Sequence, residues 1–249
     1  MISPEKREAQ RMFWTRGRNA ADYHWQQTKV NGVQKYLKGF DRASMIGDVV
    51  VDVGGGQRPV SFFLRKPGRK ILSIDFVKPK IGNGDIKHLK GDIREISNLK
   101  SFARRKALLK TAEWLGVDSR SASPQQIDTL IFSDVLNYVP YEATIRAFAP
   151  HLKENGTLIV LNQPGRGFGG LEDFLFDDLG VKHTPKMIRT IERIGFRRVI
   201  TVIVTGKEQT VPENGQYMTF SAFQKTSSWL KRKYYGLHPK YRPIGKVPQ

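Results

Sequence analysis

The stretch Val49–Gly56 reads VVVDVGGG. Its first five residues are β-branched apart from Asp52, the composition of a strand covered on both faces. Three glycines follow at once, Gly54, Gly55 and Gly56. Glycine reaches positive φ without a Cβ penalty and lets a ligand approach the main chain closely. A strand running into such a turn opens a βα unit whose ligand sits at the strand's carboxyl end. A G-x-G-x-x-G dinucleotide turn needs another glycine at position 59, where this chain has Pro59. That departure argues against a pyrophosphate reader. A helix over 59–64 is expected next, presenting free N–H groups and its positive dipole end.

The same alternation extends outward on both sides. Further strands are expected at Ile71–Asp75 (ILSID), weakly near His88–Asp92 (HLKGD), at Asp128–Ser133 (DTLIFS) and at Thr157–Leu161 (TLIVL). The last of these five runs is preceded by a turn at Glu154-Asn155-Gly156, and two more strands follow at Arg198–Val204 and Tyr217–Phe223. Helices are expected over Tyr141–Leu152 and over Thr184–Ile194. The latter would have Thr184 as N-cap, Pro185 at the first helical position and Gly195 as its stop. Leu99–Leu115 reads as a long basic helix, Ser119–Pro124 as a loop, and Asn162–Gly170 (NQPGRGFGG) as a glycine-rich connection beside the site. Strands alternating with helices specify an α/β fold around a mostly parallel sheet.

Two acids stand where later strands end. Asp75 lies about 20 residues beyond the glycine turn, where a carboxylate can accept both ribose hydroxyls of an adenosine-containing ligand. Asp92, in Gly91-Asp92-Ile93, is at the next such position and can meet an adenine amino group. The plain alternatives are a solvated strand-end aspartate at Asp75 and an ordinary Gly-Asp turn at Asp92.

Bulk composition bounds the rest. Hydrophobic residues make up 39% and charged residues 26% of the 249, as in a folded globular chain. No apolar run approaches the ~20 residues that span a bilayer, and the N-terminal stretch lacks the apolar core of a secretory signal. There is no cysteine, which removes disulfides, thiolate metal sites and cysteine nucleophiles; no metal site is expected. Cytoplasm is the compartment left by elimination. A formal net charge of +19 fits either a polyanionic partner or a basic surface kept for solubility.

Taken together, VVVDVGGG (49–56), LSID (72–75), GDI (91–93), DTLIFSDVLNYVP (128–140) and ENGTLIVLN (154–162) resemble the class I S-adenosylmethionine-dependent methyltransferases. The resemblance spans roughly 45–223; each motif is loose alone, and their order and spacing make the set specific. It implies a Rossmann-like, seven-stranded, mostly parallel sheet between helices, with the last strand inserted antiparallel. An N-terminal helical cap (1–44), a cofactor-binding domain (45–224) and a basic tail (225–249) complete that organisation. By resemblance, Asp52 holds the glycine loop and reaches toward the methionine amino group, and Gly54 and Gly56 pass beneath methionine and ribose. Asp75 resembles the ribose-binding acid, Asp92 and Ile93 the pair flanking the adenine, and Ser133 the residue facing the methionine. Arg58 departs from the glycine that many relatives have there.

FSDVLNYVP is most similar to the subgroup that methylates small molecules, and the chain lacks the Asn/Asp-Pro-Pro-Tyr/Phe signature of amino-methylating nucleic-acid enzymes. The expected activity is methyl transfer from S-adenosylmethionine to O or N of a small or medium-sized acceptor. A sulfonium is already a strong electrophile, so alignment and exclusion of water are the main demands. Asp134, His183 and His24 are the candidates for a proton acceptor, and Tyr23 and Trp25 are candidates for an aromatic lid. Two rivals remain. An RNA methyltransferase would use the basic surface and tail, with Asp134, Lys182 or Lys186, and Glu192 mimicking a Lys-Asp-Lys-Glu set. A non-catalytic binding or assembly protein would keep the same fold.

Overall fold

The computed structural model describes residues 3–16, 32–56, 59–76, 86–93, 127–162, 180–181, 183–204 and 218–226. Two helices, α1 (Pro4–Arg16) and α2 (Gln34–Arg42), precede β1 (Val49–Val53), a 3-10 turn (Val60–Leu64), β2 (Lys70–Asp75) and β3 (Ile86–Lys90). Then come β4 (Ile127–Ser133), α3 (Tyr141–Phe148), a second 3-10 turn (Ala149–His151) and β5 (Leu152–Asn162). The chain continues through α4 (Thr184–Ile194), β6 (Phe196–Val204) and β7 (Met218–Lys225).

The strands form one sheet in the order β3-β2-β1-β4-β5-β7-β6. The first five are parallel, and β7 runs antiparallel between β5 and β6. This is the expected Rossmann-like sheet with its inserted last strand.

Successive strand residues point to opposite faces, and here each face has its own core. Val51, Val53, Leu72, Ile74, Leu130 and Phe132 pack with Ile145 of α3 and Met187 and Ile191 of α4. Val50, Ile71, Ile131 and Ile159 pack on the other face with Leu37 of α2 and with Val60 and Leu64 of the 3-10 turn. Burial on both faces is why VVVDV carries almost no polar residue. Phe220 of β7 is stacked on Tyr36 at 5.3 Å and meets Phe40 edge-on at 5.6 Å. Within the N-terminal segment expected to be a cap, α2 is therefore a layer of the core.

Several local expectations are corrected. Residues 60–64 form a five-residue 3-10 turn rather than an α-helix, too short for a substantial macrodipole. Glu154-Asn155-Gly156 lies inside β5, where the register against β4 jumps from Ile127–Leu152 to Thr129–Thr157. Asn155, at φ 60°, marks that irregularity, because a left-handed residue cannot continue a ladder unbroken. The N-cap of α4 is His183, with Thr184 already helical, and Gly195 closes the helix at φ 117° as expected. The third strand ends at Lys90, leaving Asp92 in the turn beyond it. Lys225 is the buried last residue of β7, not the first of a tail. Leu99–Leu115, Ser119–Pro124, 163–170, His24, Tyr23, Trp25, Arg58 and Lys182 lie outside the described residues.

Two features tie the layers together away from the sheet's carboxyl edge. The buried Arg69 guanidinium donates to Asp41 of α2 (2.5 Å) and to the carbonyls of Leu64 (2.6 Å) and Ile46 (3.2 Å). Its hydrogen bond to Asp41 holds that carboxyl below the ordinary carboxylate pKa. At the opposite side of the fold, Lys225 donates through Nζ to the Ala149 carbonyl (2.8 Å) and to that of Leu152. Burial lowers the lysine's pKa to about 8, against a raising influence of Glu154.

Candidate functional site

The carboxyl ends of β1, β2 and β4 converge because the three strands are parallel neighbours. Asp52 pairs in register with Ser73 of β2 and Ile131 of β4. Its carboxylate is fully buried and accepts two hydrogen bonds. Ser133 Oγ donates to Oδ1 at 2.7 Å, and the Ser61 backbone N–H donates to Oδ2 at 2.9 Å. Asp52 thus fastens the 3-10 turn and the end of β4 to the end of β1, clamping the glycine turn between them. A buried carboxyl group satisfied twice makes a stiff joint.

The three glycines differ in their surroundings. Gly54 is at φ 79°, and a Cβ there would lie 2.5 Å from the Cβ of Val135 and 3.1 Å from the Ser133 carbonyl oxygen. Gly55 is hemmed by Ser73 Oγ at 2.7 Å and Pro59 Cβ at 2.8 Å. Gly56, at φ 60°, would place its Cβ with nothing within 4 Å among the described residues. Its N–H donates to Asp75 Oδ2 at 2.9 Å. The turn is therefore packed on its inner side and open at its tip, beside the acid that ends β2.

The turn after β3 joins the same edge, because the Gly91 N–H donates to the Asp75 carbonyl at 3.1 Å. Ile93 is buried in the core face that α3 and α4 cover. Asp92 meets a partner that sequence reading missed: Arg7 of α1 donates through Nε to Asp92 Oδ2 at 2.9 Å. Gln10, one helical turn on, is buried, and its Nε2 lies 3.5 Å from the Tyr138 carbonyl. So α1 reaches across the turns that follow β3 and β4. No sequence signal could have found this pair, since 85 residues separate Arg7 from Asp92 and both types are common on helices and in turns.

Asp134 follows Ser133 directly and is buried, with φ at 52°. Its N–H donates to the Leu161 carbonyl at 2.8 Å. A non-glycine residue in the left-handed region costs about 1–2 kcal/mol, less for aspartate than for most. His183 is exposed at the start of α4 and does not join the buried cluster. The Val181 N–H donates to the Leu136 carbonyl at 2.9 Å, so α4 starts beside the loop that carries Asp134. Glu192 sits near the other end of α4, 3.7 Å from Arg198. It is not brought to Asp134, and the Lys-Asp-Lys-Glu arrangement is not assembled.

Asp52, Gly54, Gly56, Asp75 and Ser133 thus meet at one edge, with Asp92 and Ile93 on the adjoining turn. The chain shares its fold with solved Rossmann-like methyltransferases. It is similar to the 1,6-didemethyltoxoflavin-N1-methyltransferase of Burkholderia thailandensis, solved with 1,6-didemethyltoxoflavin and S-adenosylhomocysteine. The TM-score is 0.56 at 15% identity, covering 91% of this chain and 92% of that one. The magnesium protoporphyrin IX methyltransferase of Synechocystis, with bound S-adenosylmethionine, gives 0.55 at 15% identity over 90% and 99% of the two chains. The N-methyltransferase NodS of Bradyrhizobium japonicum, with S-adenosylhomocysteine, gives 0.52 at 12% identity over 90% and 99%. No protein-family model matches the sequence, and no curated protein matches it. At these identities the likeness is one of fold.

Proposed function

We propose that this chain is an S-adenosylmethionine-dependent methyltransferase acting on O or N of a small or medium-sized acceptor. The observation that carries this reading is the open tip of the glycine turn. Gly56 offers a side-chain-free surface directly beside Asp75, while its neighbours are packed from below. That is the shape and charge suited to an uncharged ribose lying on the main chain with its hydroxyls toward a carboxylate.

The roles follow from position. Asp75 holds the ribose end, and the Asp92 turn with Ile93 lines the adenine end. Asp52 and Ser133, locked to each other at 2.7 Å, fix the glycine turn beneath the methionine. When bound, the cofactor supplies a methyl group on a positively charged sulfur, ready for in-line displacement. The protein's own work is to align the acceptor and keep water out. Asp134 is the buried carboxylate placed to accept the proton that an O–H or N–H acceptor gives up. His183 is exposed, and the same geometry ranks it behind Asp134.

The test is calorimetric titration of the dialysed full chain with S-adenosylhomocysteine, for the native protein and Asp75→Ala. Loss of two charge-assisted hydrogen bonds, each about 1.5–3 kcal/mol, should weaken binding by at least a hundredfold. Native protein that binds no S-adenosylhomocysteine would overturn the reading. Unchanged affinity in Asp75→Ala would remove the ribose from that end of β2.

A further inference from the structure

We propose that the outer face of α4 and the first residues of β6 form a docking surface for the phosphate backbone of RNA. This surface is distinct from the cofactor site and does not depend on that assignment.

At 3.6 residues per turn, or 100° per residue, Lys186, Arg189 and Arg193 lie at 0°, 300° and 340° around α4. All three are exposed and fall within about 60° of one another. The opposite arc holds Met187, Ile188, Ile191 and Ile194, which pack into the core. The fold therefore uses the apolar arc and makes no demand on the cationic one. Beyond Gly195, Arg198 is exposed on the face of β6 that α4 covers, whereas Arg197 points to the other face.

A basic helix face is usually solvated and often laced with acids at i,i+4. α3 shows that pattern, with Arg146 pairing Glu142 at 2.8 Å. α4 does not. Between His183 and Arg198 there are five cations and one acid, Glu192, while the whole chain has 42 lysines and arginines against 23 acids. Glu192 leans on Arg198 at 3.7 Å, and Lys186 and Arg189 have no side-chain partner among the described residues. Arg193 is steadied by a neutral group, Thr190 Oγ1 at 2.9 Å. Such a partner fixes a guanidinium without cancelling its charge.

The shape favours a linear polyanion. The 11 residues of α4 extend about 16 Å, and a nucleic-acid strand places a phosphate every ~3.4 Å of axis. Lys186 to Arg193 covers about 10 Å of that length, so about three phosphates face the three cations of the arc. Two of the three are arginine, whose planar fork grips phosphate through two N–H groups. The outward arc of α4 has no exposed large apolar side chain, whereas a protein partner would need an apolar centre. The stripe begins beside the Val181–Leu136 hydrogen bond, so a strand lying along α4 reaches the loop carrying Asp134.

The test uses the full-length protein with a short unstructured RNA, its affinity measured by fluorescence anisotropy across a salt series. Native protein is compared with Lys186→Gln/Arg189→Gln/Arg193→Gln, all at exposed positions. Three lost phosphate contacts at a slope of ~0.7 each should lower the magnitude of the log Kd–log salt slope by about 2 and weaken binding at least tenfold. Thermal unfolding and S-adenosylhomocysteine affinity should stay as in the native protein, which separates this result from any failure of the cofactor assignment. A native slope in the triple variant would overturn the proposal. So would polyglutamate competing as well as RNA, which would point to an acidic protein partner.

Discussion

Gly54, Gly56 and Gly68 have nearly the same backbone geometry, with φ of 79°, 60° and 80°, but different surroundings. Replacing each by alanine separates backbone strain from packing and from ligand contact. At Gly68, between the 3-10 turn and β2, an added Cβ meets nothing within 4 Å among the described residues. Gly68→Ala should therefore cost only the left-handed penalty, about 1–2 kcal/mol. At Gly54 the same penalty is joined by a contact of 2.5 Å with the Val135 Cβ. Overpacking of that kind adds about 1–3 kcal/mol, giving about 2–5 kcal/mol in all. Gly56→Ala meets no clash among the described residues, so its loss should match that of Gly68→Ala. Its methyl group would instead occupy the room assigned to the cofactor, weakening S-adenosylhomocysteine about tenfold or more, whereas Gly68→Ala should bind normally. Urea unfolding followed by circular dichroism gives the stabilities, and calorimetry gives the affinities. Gly56→Ala that unfolds as readily as Gly54→Ala, or that binds as tightly as the native protein, would refute the reasoning.

Two predictions concern pH. Lys225 titrates near pH 8 when folded and near its ordinary 10.5 when unfolded, so between those values the unfolded chain holds more protons. Stability supplied through this group therefore rises with pH, by about 2 kcal/mol between pH 8 and 9.5; Lys225→Met should lack that rise in paired urea titrations, and parallel curves would contradict it. Asp41 has a folded pKa below its ordinary 3.8 because Arg69 donates to it. Its contribution is complete above pH 3.8 and disappears as pH falls through the folded value. Asp41→Asn should be less stable at neutral pH and lose less on acidification than the native protein, and equal acid sensitivity would count against that linkage.

Much of this molecule is legible in short windows of sequence. β-Branched runs mark β1, β2, β4 and β5, because strands covered on both faces need apolar side chains at nearly every position. Gly54 and Gly56 mark a left-handed turn, and Gly195 marks a helix end, because φ above zero is cheap only for glycine. The order of those signals led to the sheet and to the edge where Asp52, Asp75 and Ser133 meet. Other features were decided by tertiary structure. The Asp52–Ser133 hydrogen bond joins residues 81 positions apart, and the Arg7–Asp92 pair joins residues 85 apart. Val60–Leu64 forms a 3-10 turn whose Ser61 N–H is fastened to Asp52, whereas the residues alone suggested an α-helix over 59–64. Asn155 bends within β5 rather than before it, since both flanks of the turn find partners on β4. Periodicity and backbone preference act over a few residues and are written locally, but the neighbour of a carboxylate depends on which strands lie side by side.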